Sequence, residues 1–187
     1  MSDNADFETE FVKHRLRGDT PPPDLLLLLK SRNPLAARTG IELDASAGWA
    51  PWLNTSYLSS TALKDPSVRA NIRAIADVSA LIDFVAMDED RNFFGYWRGP
   101  AHLPLADAPI VCLDNEGQFR FVGTKSLAGI LFAEGGALDD FRSWFRSIGI
   151  NDLPTGRYDL FTVRTEPAPG KLHEELYAKY ELEERGG

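Results

Sequence analysis

Two apolar stretches, each broken by an acidic turn, constrain this chain more than any other feature of it. Leu81 to Met87 and Phe93 to Trp97 read as paired strands, and the residues between them, Asp88-Glu89-Asp90-Arg91-Asn92, as the turn that joins them. Further on, Ile110-Val111-Cys112-Leu113 is a continuous apolar run suited to a strand covered on both faces. Asp114-Asn115-Glu116-Gly117 is a second turn signal, and Gln118 to Val122 alternates polar with apolar as a half-buried strand does. Two antiparallel hairpins follow. Trp97 reads as a buried anchor beside the sheet, and Gly95 and Gly99 as positions of close backbone approach or a bend.

Helical periodicity lies on either side of these hairpins. Phe7 and Phe11 are one turn apart, with Gly18 as a stop. Pro21-Pro22-Pro23 favours an extended linker, after which Asp24 is expected to cap a short helix that carries Leu25 to Leu29 and ends near Asn33-Pro34. Five consecutive leucines cover every face of a helix, so packing onto the rest of the domain is expected. Trp49-Ala50-Pro51-Trp52-Leu53 reads as an irregular stretch anchored on a core. Asp65 and Pro66 open an amphipathic helix whose stripe is Val68, Ile72, Ile75, Ala76 and Ser79. Thr124 or Ser126 is expected to cap a helix carrying Leu127, Ile130 and Leu131 up to Gly135-Gly136. Leu138, Phe141, Phe145 and Ile148 form another stripe, stopped by Gly149; Gly156 to Val163 suits an edge strand, and Leu172, Leu176 and Tyr180 mark a terminal helix. Central strands between helical segments argue for an α+β fold with a largely antiparallel sheet of 4–6 strands, rather than βαβ alternation. The organisation expected is one domain over 1–187, with a helical N-terminal extension at 1–45 containing the Pro21–Pro23 linker and a helical C-terminal part at 136–187.

The 187 residues suffice to bury about 70% of the unfolded chain's surface. With 43% hydrophobic and 26% charged residues, the composition is that of a folded, soluble domain. Twenty basic against 28 acidic residues leave a net charge of −8, which disfavours generic binding to nucleic acid or anionic membranes and favours encounter with a basic partner. The start, Met1 to Glu8, is acidic and lacks a signal-like apolar core, and the aliphatic run Leu25–Leu29 is too short to span a bilayer; a cytoplasmic location is the expectation.

Catalytic signatures are hard to find. His14, His102 and His173 belong to no ligand-spaced pair and read as surface histidines. Cys112, the single cysteine, sits in an apolar strand as a small hydrophobe. Gly123-Thr124-Lys125-Ser126 has a threonine between glycine and lysine, so it fails the phosphate-loop order. Asp88, Glu89 and Asp90 are able in principle to bind a hard cation or act as acid and base, but their spacing fails the calcium-loop pattern and three acids at a hairpin tip are ordinarily a solvated turn. Neither a metal, a cofactor nor an enzymatic activity is expected; the alternative kept open is an enzyme with an atypical carboxylate site.

Phe84-Val85-Ala86-Met87-Asp88-Glu89-Asp90, followed by Phe94-Gly95-Tyr96-Trp97-Arg98-Gly99-Pro100, by Pro109 to Gly117, and by Ser126-Leu127-Ala128, resembles the SUKH superfamily. Its members are immunity proteins of bacterial polymorphic toxin systems, with a eukaryotic branch that regulates cell-wall synthesis. The resemblance covers roughly 49–135. It implies an α+β fold and a non-enzymatic role in which the chain binds a cognate toxin, often a nuclease, and blocks it; the acidic charge points to a basic toxin. A regulatory adaptor is the alternative within the same superfamily. On either reading Asp88, Glu89, Asp90, Asp114 and Glu116 are the candidate partner-binding residues; the oligomeric state is left open.

Overall fold

The computed structural model describes residues 2–130, 138–153 and 165–186. Within them the chain forms α1 (Ser2–Arg15), α2 (Pro23–Lys30), α3 (Arg32–Thr39), β1 (Glu42–Leu43), α4 (Pro66–Ser79), β2 (Ile82–Met87), β3 (Phe93–Trp97), β4 (Ile110–Leu113), β5 (Phe119–Phe121), α5 (Leu138–Ser147) and α6 (Pro169–Gly186). The sheet is antiparallel throughout, in the order β1-β2-β3-β4-β5, so the fold is α+β with a central sheet flanked by helices. Both hairpins fall where their turns were read. Gly156 to Val163, Leu131 and the Gly135-Gly136 break lie outside the described residues.

Apolar layers cover both faces of the sheet, which is why β2, β3 and β4 are almost continuously buried instead of alternating. Val85, Ala86, Phe94, Tyr96, Ile110 and Cys112 face one layer, where Phe11 of α1, Leu25, Leu28 and Leu29 of α2, Leu35 of α3 and Phe145 of α5 complete a core. Ile82, Phe84, Phe93, Trp97, Val111, Leu113 and Phe119 face the other, against Val78 of α4, Leu172 and Leu176 of α6, and Trp49 and Trp52. The leucine run thus meets its own domain. Register jumps by one residue between Phe84 and Ala86, placing Val85 and Ala86 in the same core. Opposite this bulge stands Gly95, where a Cβ would lie 2.6 Å from Ile82 Cγ2 and 2.7 Å from both Asp83 O and Phe84 Cα. No side chain fits there.

Local signals explain most helix ends. The Asp65 carboxylate accepts from Ser67 N at 2.8 Å, with Pro66 in the first position of α4. Two expectations are corrected. Pro22, in extended conformation, rather than Asp24, precedes α2; Asp24 lies inside the first turn and its Oδ2 accepts from Ser126 Oγ at 2.7 Å. The helix also does not run to Asn33-Pro34: it stops at Lys30 and α3 starts at Arg32 with Pro34 in its first turn, where the missing N–H has no intrahelical acceptor to satisfy. Further along, Leu127–Gly129 is a 3₁₀ turn that leads into helical Ile130, entered by Thr124 Oγ1 accepting from Ser126 N at 3.0 Å.

A buried charge ties the N-terminal helices to the sheet. Asp83, 2% exposed, accepts from Arg17 Nε at 2.8 Å and Arg98 Nη1 at 2.7 Å, while Arg98 Nη2 reaches Asp19 at 2.8 Å and its Nε donates to Leu103 O. Burial pushes the Asp83 carboxyl up; the two guanidinium groups pull it back. Gly99, at φ +59°, turns the chain just after Arg98 and packs on the Trp97 indole, itself 1% exposed.

Candidate functional site

A meander puts alternate turns at the same end of a sheet, so the β2–β3 and β4–β5 turns are neighbours. Asn115 Nδ2 donates to Asp90 O across them at 3.3 Å. The two turns that carry the five acidic residues singled out in the sequence are therefore neighbours, but the five do different things. Asp88 accepts from Asn92 N and Asn92 Nδ2, both at 2.8 Å, and closes its own hairpin. Asp114 Oδ1 accepts from Glu116 N at 3.0 Å and Gln118 N at 2.8 Å and closes the other. Their carboxylates are committed to backbone geometry. Glu89, Asp90 and Glu116 are exposed, with Glu89 leaning over Gly40 at the end of α3 and Glu116 accepting weakly from Gln118 at 3.3 Å. Arg91, at φ +63°, is the one cation within the first turn.

Beside this acidic end lies a trough that sequence reasoning missed. Two cavities of about 580 and 480 Å³ share Trp52, Asn54, Tyr57, Asn71 and Ile75 and so form one depression. One wall is the segment from Trp49 to Leu58. Arg15 holds its start, donating through Nη1 to Trp49 O at 2.8 Å and through Nη2 to Ser46 O, with its guanidinium over the Trp49 ring. The two tryptophans then pack as a cluster: Trp52 lies 4.2 Å from Phe84 and 5.5 Å from Phe93 between ring centroids, and Trp49 meets Trp52 edge-on at 5.3 Å. The second wall is α4. Its buried positions are Ala70, Ala74, Val78 and Ser79, the last of them from the stripe read in the sequence, while Val68, Ile72 and Ile75 of that stripe are half-buried and line the trough. Helix α6 closes the far side with His173, Glu174 and Tyr177.

Turn and trough are continuous. A Cβ on Gly117 would lie 3.3 Å from Ile75 Cδ1, and Asp114, Asn115 and Glu116 line the near end of the depression together with Arg91 and Met87. At the other end His173 Nε2 is 3.0 Å from Asn71 Oδ1 and the ring is 5.5 Å from Phe119. His173 is thus half-buried rather than a surface histidine, and burial lowers its pKa, which keeps it neutral. With His173 neutral, the lining carries Asp114, Glu116 and Glu174 against Arg91 alone. Tyr57 is 80% and Leu53 46% exposed on the rim.

Among the described residues no three His, Cys, Asp or Glu side chains converge to hold a metal ion, and no helix is long and apolar enough to cross a membrane. No protein-family model, curated protein or solved structure matches the chain.

Proposed function

We propose that this chain is a non-enzymatic immunity protein of the SUKH kind, which binds a cognate toxin domain and covers its functional surface. The observation that carries the reading is the adjacency of two acidic hairpin turns, joined by Asn115 Nδ2 to Asp90 O, beside an uncovered aromatic trough that Asp114 and Glu116 line. Rim carboxylates steer a basic partner into encounter, and desolvated apolar contacts at the centre hold it. A nuclease is the toxin class such a surface suits, because its substrate site is built to attract phosphate. The use of Asp88 and Asp114 to close their turns fits a display role, since it rigidifies the loops that carry the exposed acids.

The test is co-expression with the product of the adjacent gene. Protection of the host by this chain, lost on reversing the charge of Glu89, Asp90 and Glu116 together to lysine, is the expected result. A neighbour that is not toxic, or whose toxicity persists when this chain is made, overturns the assignment.

A further inference from the structure

The trough between Trp49–Leu58 and α4/α6 has no occupant in the fold, and its chemistry is specific. Its floor and walls are Trp52, Tyr57, Val68, Ile72 and Ile75; its ends are acidic. We infer that it receives an apolar side chain, aromatic or leucine, projecting from a segment of the basic partner and flanked there by lysine or arginine. This rests on the binding role proposed above and names the part of the partner that the surface reads.

Three observations lead to that occupant. Val68 and Ile72 lie on an amphipathic helix whose opposite positions, Ala70, Ala74 and Val78, already serve the domain's own core, and unlike Ile75, whose side chain packs on that core, they join no core cluster. The combined volume of the two connected cavities suits bulky side chains, and Trp52 offers a ring fixed by Phe84 and Phe93, a preformed anchor site. Charge then selects among occupants. Asp114 and Glu116 at one end and Glu174 at the other outnumber Arg91, which favours cationic flanks; a second copy of this chain, carrying −8 overall, would be repelled.

The experiment titrates the intact, isotope-labelled chain with the hexapeptide Gly-Lys-Phe-Leu-Lys-Gly and follows the amide NMR spectrum. The expected result is saturable shifts of the Trp52 indole N–H and the Asn54 and Asn71 side-chain amides, with binding about tenfold or more weaker for Gly-Glu-Phe-Leu-Glu-Gly. Tyr57→Ser, at an exposed position that leaves the fold intact, and Ile72→Glu lose the response. Equal response to both peptides, or none at these amides, overturns the inference. So does an equal response to phenylalanine amide alone, which marks a small-molecule pocket, or shifts that depend on protein concentration without peptide, which mark self-association. Failure here is separable from failure of the immunity reading: protection by the wild-type chain that survives Ile72→Glu sinks the trough and leaves immunity standing, whereas a wild-type chain that gives no protection sinks immunity while the titration still decides the trough.

Discussion

The two faces of the sheet are built from the same kinds of residue and finished differently. On the face covered by α1, α2, α3 and α5, Phe11, Leu25, Leu28, Leu29, Leu35 and Phe145 are all at 2% exposure or less. On the face covered by α4 and α6, Val78, Trp97, Val111 and Leu113 are buried as deeply, but Trp49, Trp52, Ile75 and Met87 remain partly open and Tyr57 stands almost fully in solvent; the first face has partly open residues too, Phe7, Leu27, Phe141 and Trp144 among them, around a larger buried core. Apolar area removed from water stabilises the fold in proportion to its extent, so the first face carries most of the stability; area left half-covered is available for a partner. The contrast is one of extent: the first face carries the larger sealed core, and the second leaves an aromatic trough open.

That difference sets the scale of its mutants. Phe11→Ala, at a site with no exposure, is expected to cost about 3–5 kcal/mol in chemical denaturation, whereas Tyr57→Ser on the open face should stay within about 0.5 kcal/mol. Equal losses at the two sites would erase the distinction. Next comes the charge buried between the faces' helices: Asp83→Ala leaves Arg98 without its buried partner and should cost about 3 kcal/mol, while Arg17→Ala, at a half-exposed cation, should cost about 1 kcal/mol or less. The triple lysine reversal of Glu89, Asp90 and Glu116 is expected to shift the unfolding midpoint little, because the turns are closed by Asp88 and Asp114; it should instead slow association with a basic partner, most strongly at low salt.

The smallest effects are those of pH. His173 on the open face is held below its ordinary 6.5 by burial, with Glu174 opposing, so the unfolded chain binds the extra proton first and stability is lost as pH falls below that value; an NMR titration of the ring should give a midpoint under 6.5. A midpoint at or above it would show the ring to be solvated. Glu184 is held below its ordinary 4.5 by hydrogen bonds from Arg69 and then Arg73, which clamp α6 to α4. That contribution is present above pH 4.5 and disappears as pH drops through the lowered value, and faster hydrogen exchange in the last turns of α6 should report it.

Strand pairs, both turns, the Asp65-Pro66 cap and the covering of β4 on two faces were legible because each rests on local chemistry: period, turn residues, capping. The α2–α3 break was not, because Pro34 signals a helix end or a helix start equally well until the position of the preceding N–H acceptors is known. The five acids were found by type, yet type could not tell Asp88 and Asp114, which bond their own backbone, from Asp90 and Glu116, which face outward. The trough was the least readable feature. Its walls come from residues 49–58, 67–75 and 173–177, and only the packing of α4 against α6 decides that alanines turn inward and Ile72 does not. Trp52 and His173 carried a signal in composition alone.

Hydrogen exchange of the chain, free and mixed with the product of the adjacent gene, tests the division of labour most directly. Added protection is expected at 49–58, 88–92 and 114–117, with α1 to α3 unchanged. Protection gained on α1 to α3 and absent from those three segments would contradict it.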